Sequence, residues 1–333
     1  MSTPPRFRRN PVRPFFSVLM AILLAGCGKL TSKEPAKAMP PAHQELIIHS
    51  GGLERHCVLH LPPTYAQSKP LPLVIMLHGM GGTGADTVRE MGWSAKADAE
   101  TFMVAYPDAS RPDPAQPPNF KSNPQAWNDG SGRFHAGARN VDDVAFIRAL
   151  LDRLTADYSI DRRRIFVAGF SNGASMALRI GAELSDRVAA IAPCAGACWT
   201  ETPRPTRGIS LCYITGTADT LNPLDGGLPK MAFGGGDKGG KPKPPVRVTI
   251  EKWAKSLGCP GTPTNDETTN GVRRRRYGPG RDGAEILFIT VEDLGHIWAG
   301  AGEFGPAFML GKPTDKLKAT DVIWDFFKTH PSP

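Results

Sequence analysis

The chain has 333 residues, 40% of them hydrophobic, enough for one sizeable core and too apolar for a disordered polymer. Its formal charge is +8, but Arg6, Arg8, Arg9 and Arg13 supply four of those charges ahead of a segment that reads as a removable signal, leaving +4. No Lys/Arg stripe interleaves with aromatic residues, which argues against nucleic-acid binding.

The four arginines precede an apolar stretch, Phe15 to Ala25, too short to cross a bilayer as a stable helix and suited to the apolar region of an export signal. It runs into Leu24-Ala25-Gly26-Cys27, which resembles the bacterial lipobox. That resemblance implies lipidation of Cys27, which would become the first residue of the mature protein and hold it to a membrane of the cell envelope, on the periplasmic or surface side. Residues 1–27 are thus expected to be a lipoprotein signal peptide. Residues 28–43, rich in Lys, Pro, Ala and Ser without apolar periodicity, read as a flexible tether, and residues 44–333 as one folded domain.

Five cysteines remain once Cys27 is assigned to lipid, so at least one has no partner within the chain. In an exported protein Cys194, Cys198 and Cys259, near loops or element ends, are the better disulfide candidates. Cys57 and Cys212 lie inside apolar strand patterns and read as core. No cysteine or histidine spacing resembles a zinc site.

Gln44–Ile48 and Arg55–Leu61 read as an antiparallel opening hairpin. Leu71–Leu77 is a nearly continuous apolar run, the pattern of a strand buried on both faces. It ends in His78-Gly79-Met80-Gly81-Gly82-Thr83-Gly84, a loop able to turn its amides toward a ligand, with a helix predicted over about Ala85–Ala99. Thr101–Tyr106 is the next strand, and Pro107–Gly137 a long loop carrying Trp127-Asn128-Asp129-Gly130. Asp142 and Asp143 open a helix to about Tyr158 and read as capping, dipole-compensating residues.

Arg164–Phe170 is a further strand, and it turns through Gly169-Phe170-Ser171-Asn172-Gly173 straight into small, helix-compatible residues. This is a nucleophile elbow: the flanking glycines allow a strained turn that exposes the Ser171 hydroxyl. Val188–Pro193 and Ile209–Thr215 follow as central strands, Leu224–Pro245 as a surface insertion and Val246–Gly258 as a helix. The Arg273–Arg276 run is expected to border a loop, Ala284–Val291 is the last strand and Asp315–Thr329 the closing helix. The alternation predicts an α/β fold, a mostly parallel doubly wound sheet in a single domain.

A serine hydroxyl needs a base to accept its proton, and the base needs a carboxylate to orient it. Only His296 and His330 follow Ser171, and His330 lies close to the chain end, so His296 is the base. Asp219, on a small-residue turn after a strand, is the preferred acid, with Asp225 and Asp293 as rivals. Backbone N–H groups for an oxyanion are expected from Asn172 and from the glycine-rich loop, at Met80 or its neighbour Gly81. His78 is expected to brace that loop rather than move protons.

Leu77-His78-Gly79, the Trp127-Asn128 loop, Val141-Asp142-Asp143-Val144, Gly169-Phe170-Ser171-Asn172-Gly173, Gly216-Thr217-Ala218-Asp219 and Gly295-His296-Ile297-Trp298 together resemble the polyhydroxybutyrate depolymerase family. That family includes LpqC-like lipoproteins and feruloyl and acetylxylan esterases. The resemblance implies an α/β-hydrolase catalytic domain with Ser171, Asp219 and His296 as its triad, and a serine esterase acting without metal or cofactor on short-chain acyl, hydroxyalkanoate, feruloyl or acetyl esters. It also implies that Trp127 and Trp298 border the substrate pocket. Two other readings share these residues, a peptidase or amidase on the same fold and a catalytically silent cell-envelope lipoprotein that binds a glycan or partner.

Overall fold

Apolar runs long enough to lose both faces to helices become the middle of the sheet, and polar alternating segments become its edges. The computed structural model describes residues 1, 43–229, 241–302 and 310–333. The expected signal peptide, Cys27 and the tether up to residue 42 lie outside them. The described elements belong to one compact unit, Pro40–Pro333.

In chain order these are β1 (His43–Ser50), β2 (Leu53–His60), β3 (Leu71–Leu77), α1 (Gly84–Glu90), α2 (Trp93–Glu100), β4 (Met103–Pro107), α3 (Phe134–Ala138) and α4 (Asp143–Asp157). There follow β5 (Ile160–Phe170), α5 (Asn172–Glu183), β6 (Ala190–Cys194), β7 (Ser210–Gly216) and α6 (Val246–Leu257). The remaining ones are β8 (Asn265–Thr269), β9 (Val272–Tyr277), β10 (Ile286–Val291) and α7 (Ala319–Lys328). The strands form one sheet in the order β1-β2-β4-β3-β5-β6-β7-β10-β9-β8. From β4 to β10 neighbours run parallel, and the hairpins β1/β2 and β8/β9 join antiparallel at the two ends.

Successive residues of a strand face opposite ways, and β5 shows both layers. Phe166 stacks on Phe327 of α7, ring centroids 4.5 Å apart. Ile165 and Val167 join the core that contains Ile147 and Leu151 of α4 and Met176 of α5. Loops after β3, β5, β7 and β10 therefore emerge at the same, carboxyl-terminal end of the parallel strands, where ligands bind in such sheets.

The opening hairpin forms as expected, with His43 paired to His60 and Ser50 to Leu53. Three expectations are corrected. The helix over Ala85–Ala99 is two helices, because Gly92 takes a left-handed φ of 69° between them. The Arg273–Arg276 run is not at a loop border but is most of β9, paired along its length with β10. The five described cysteines are all free and buried, so no disulfide links Cys194, Cys198 or Cys259. No helix among the described residues is long and apolar enough to cross a membrane.

Candidate active site

β5 delivers Ser171 on a turn that only this glycine spacing permits. Ser171 itself has φ 56° and ψ −117°, a strained conformation of the kind that clusters at functional sites. A Cβ at Gly169 would stand 2.3 Å from the Gly173 carbonyl oxygen, and one at Gly173 would stand 2.4 Å from the carbonyl oxygens of Leu77 and His78. β5, α5 and the end of β3 can meet only without those side chains. The Ser171 N–H donates to the Cys194 carbonyl at 2.9 Å, which anchors the turn to β6.

The loops after β7 and β10 are zipped to each other. Thr217 N–H donates to Val291 O at 2.9 Å and Ala218 N–H to Leu294 O at 3.0 Å. Gly216 must be glycine, since a Cβ would fall 1.9 Å from Leu294 O. This close approach brings His296 to Asp219: His296 Nδ1 lies 2.8 Å from Asp219 Oδ2, and His296 Nε2 lies 2.8 Å from Ser171 Oγ. With Nδ1–H donating to the carboxylate, Nε2 is left to accept from the serine hydroxyl. Asp219 Oδ1 accepts from the Leu221 and Asn222 amides at 2.8 and 2.7 Å.

Burial pushes the Asp219 carboxyl upward, but the charge and hydrogen bond of His296, the Asn222 amide and Lys243 together outweigh it and hold the group below its ordinary value. The rivals stand apart from this arrangement. Asp225 is exposed. The Asp293 side chain is 88% exposed, with its backbone N–H on Thr217 Oγ1.

The glycine-rich loop after β3 lies against the nucleophile, where a Cβ at Gly79 would be 3.3 Å from Ser171 Cβ. Gly81 N–H donates to the Gln125 carbonyl at 2.7 Å, which leaves the Met80 amide as the candidate oxyanion donor of this loop. His78 braces the loop: Nδ1–H donates to Gly79 O at 2.7 Å, and Nε2 accepts from Ala109 N–H at 3.0 Å. Burial lowers its pKa from the ordinary value, in keeping with this neutral role.

The side chain of Asn172 joins the nucleophile to the Trp127 loop. Its Oδ1 accepts from Trp127 N–H at 2.7 Å, and its Nδ2 donates to Trp127 O at 3.2 Å and to Asp129 Oδ2 at 2.9 Å. Trp127 is fully buried, with Nε1 donating to His78 O at 3.0 Å, and Trp298 is 1% exposed, with Nε1 donating to Thr320 Oγ1 at 3.1 Å. Both tryptophans expected to border a substrate pocket are thus buried, Trp127 under the loop after β3 and Trp298 edge-on to Phe170.

Asp142 caps α4 as expected, accepting from Ala145 N–H at 2.9 Å, but Asp143 does something else. It is wholly buried, pairs with Arg55 at 2.7 Å and accepts from Asn128 N–H at 2.7 Å, so it fastens the Trp127 loop to β2. Sequence reading also passed over Phe120 and Lys243. Phe120 is a 43% exposed aromatic ring seated over Gly81, the residue after Met80. Lys243, inside the expected surface insertion, is 8% exposed and donates to Asn222 Oδ1 at 3.4 Å. The described residues contain no group of three or more His, Cys, Asp or Glu able to hold a metal.

Known proteins resemble this chain in sequence and in fold. The family described as Phospholipase/Carboxylesterase matches residues 64–227, a span that holds Ser171 and Asp219. NocK of Nocardia uniformis subsp. tsuyamanensis, described as an esterase, is 28% identical over 88% of this chain and 84% of its own. Feruloyl esterase B of Piromyces equi is 28% identical over 77% of this chain and 45% of its own. Poly(3-hydroxyalkanoate) depolymerase C of Paucimonas lemoignei is 27% identical over 68% and 54%. The chain thus spans about half the length of these last two. Among solved structures, an acetyl xylan esterase from Aspergillus awamori has a TM-score of 0.52 at 16% identity, over 73% of this chain and 89% of that one. Native pOPH has 0.54 at 14% identity over 91% of each, and both likenesses are of fold.

Proposed function

We propose that the chain is a serine carboxylic-ester hydrolase of the α/β-hydrolase fold, similar to polyhydroxyalkanoate depolymerases and feruloyl esterases, with Ser171, His296 and Asp219 as its catalytic triad. The observation that carries the assignment is the unbroken relay from Ser171 Oγ through both ring nitrogens of His296 to Asp219, each step 2.8 Å, on a strained turn.

In this mechanism Ser171 Oγ attacks the ester carbonyl as its proton passes to His296 Nε2. The N–H groups of Met80 and Asn172 receive the oxyanion. Collapse of the tetrahedral intermediate breaks the bond to the alcohol, which leaves with the proton from His296. Water, activated by the same imidazole, then releases the acid from Ser171. Asp219 keeps Nδ1 protonated and balances the imidazolium that forms in each half.

The substrates we propose are short-chain acyl, hydroxyalkanoate, or feruloyl and acetyl esters. The exposed Phe120 ring over Gly81, the residue after Met80, supports an apolar or aromatic group near this loop. A panel of p-nitrophenyl acetate and butyrate, hydroxybutyrate oligomers, methyl ferulate and acetylated xylan tests this. Turnover of at least one class that disappears in Ser171→Ala is expected; faster turnover of peptides than of every ester would contradict it. We further propose, from the N-terminal sequence alone, an exported protein anchored through lipid on Cys27. Cys27→Ser is expected to move the full chain from the membrane fraction to the soluble one, and unchanged partition would remove the anchor.

A further inference from the structure

A lysine ammonium is among the most costly groups to bury, and a protein keeps one buried only where it is held by partners or required by function. Lys243 is 8% exposed. Its backbone is pinned by a two-way bridge to Gly227, N–H to O at 2.9 Å in each direction, and Gly226 lies so close that a Cβ there would be 2.6 Å from Lys243 O. Pinned in this way, Nζ donates to Asn222 Oδ1 at 3.4 Å. Asn222 is 1% exposed and is itself fixed, its N–H on Asp219 Oδ1 at 2.7 Å and its Nδ2 on Tyr213 Oη at 3.3 Å. The Tyr213 hydroxyl in turn donates to Gly196 O.

Neither carboxylate facing Lys243 belongs to it. Asp219 is committed to His296, and Asp129 to Arg133 at 3.1 Å and to Asn172 Nδ2 at 2.9 Å. Arg133, the other charged group facing Lys243, repels it. Two residues before it, Lys241 donates to Ser131 O at 3.3 Å and lies 5.3 Å from the Trp199 ring centre. The ammonium therefore sits between the acid side of the Ser171 relay and the loop held to the nucleophile by Asn172, with no ion-pair partner of its own among the described residues.

Building on the triad proposed above, we propose that Lys243 is a positioning residue for ester cleavage: its charge and its hydrogen bond to Asn222 hold the Asp219 loop, and with it the carboxylate that orients His296. The chemistry agrees with the geometry. Lys243 is among the groups that lower the Asp219 pKa against burial. Burial first, then Arg133, pull the lysine itself down to about 8, with Asp219 and Asp129 opposing, so its charge is lost within a workable pH range. A lysine kept only for stability would not be placed where its charge works against folding.

The test is kcat, KM and the pH profile of p-nitrophenyl butyrate hydrolysis for the full chain, Lys243→Gln, Lys243→Arg and, as control, Ser171→Ala. Lys243→Gln is expected to lower kcat at pH 7 roughly tenfold to a hundredfold with little change in KM, because the lost bond is one to a charged group that does not touch substrate. The parent is expected to lose kcat as pH rises through about 8, and Lys243→Gln should abolish that fall. Lys243→Arg, which keeps its charge, should retain activity and lose that fall. The unfolding midpoint of Lys243→Gln should equal or exceed the parent's. The proposal is overturned if Lys243→Gln keeps the parent kcat, if the fall near pH 8 persists in both variants, or if activity falls only in proportion to lost stability. An active Ser171→Ala would instead overturn the triad.

Discussion

Asn172 shows how a single side chain can serve chemistry without joining it. Its amide holds Trp127 and Asp129 while its backbone directly follows Ser171, so the Trp127 loop and the Ser171 turn are positioned together. Asn172→Ala keeps the backbone donor but leaves the buried Trp127 N–H unpaired. It is expected to cost about 1–3 kcal/mol in denaturant unfolding and to lower kcat more than it raises KM. An unchanged unfolding curve would show that the tie carries no weight. At this scale the sequence was legible where chain order constrains chemistry: few histidines follow Ser171, and Asp219 ends a strand pattern. It was not legible where a residue's partner is remote. Asp143 looks like a second capping acid until β2 brings Arg55 to it, 88 positions away in the chain. Lys243 is hidden by its Gly/Lys/Pro surroundings, which read as solvated surface.

Elements meet at this site through glycines, and their crowding is the physical content of the elbow pattern. Gly173→Ala places a methyl 2.4 Å from two carbonyl oxygens at the end of β3, atoms that cannot move without shifting the oxyanion loop. The variant is expected to lose about 3 kcal/mol of stability together with esterase activity. Wild-type stability and activity in it would contradict the close packing of β3, β5 and α5. Buried central strands were readable almost residue for residue, as with Leu71–Leu77, because continuous apolar runs of that length have few other uses. β9 was not, since Arg273 to Arg276 show no apolar alternation. The fold resolves them by pairing Arg273 with Asp266 and Arg276 with Glu285, and by laying Arg275 4.2 Å over the Phe288 ring. The break between α1 and α2 is not legible in the sequence because a lone glycine in a helical pattern is tolerated as often as it interrupts.

Across the whole molecule, the arrangement at Lys243 exchanges stability for function, and pH exposes the exchange. Its folded-state pKa of about 8 lies below the ordinary 10.5, so the unfolded chain binds the proton more tightly. The penalty is full below pH 8 and is relieved as pH rises from 8 toward 10.5. Lys243→Met should therefore be more stable than the parent by about 3 kcal/mol at pH 7, with the gap closing over that alkaline window. A gap of the opposite sign, or one independent of pH, would contradict the account. The fold as a whole assembles loops from β3, β5, β7 and β10 at one end of the sheet around a single serine. The most direct measurement is intact-protein mass after a brief reaction with p-nitrophenyl butyrate or a fluorophosphonate, followed by peptide mapping. One acyl or phosphonyl group on Ser171, absent in Ser171→Ala, is the predicted result. Modification of any other residue, or ester turnover that survives Ser171→Ala, would contradict it.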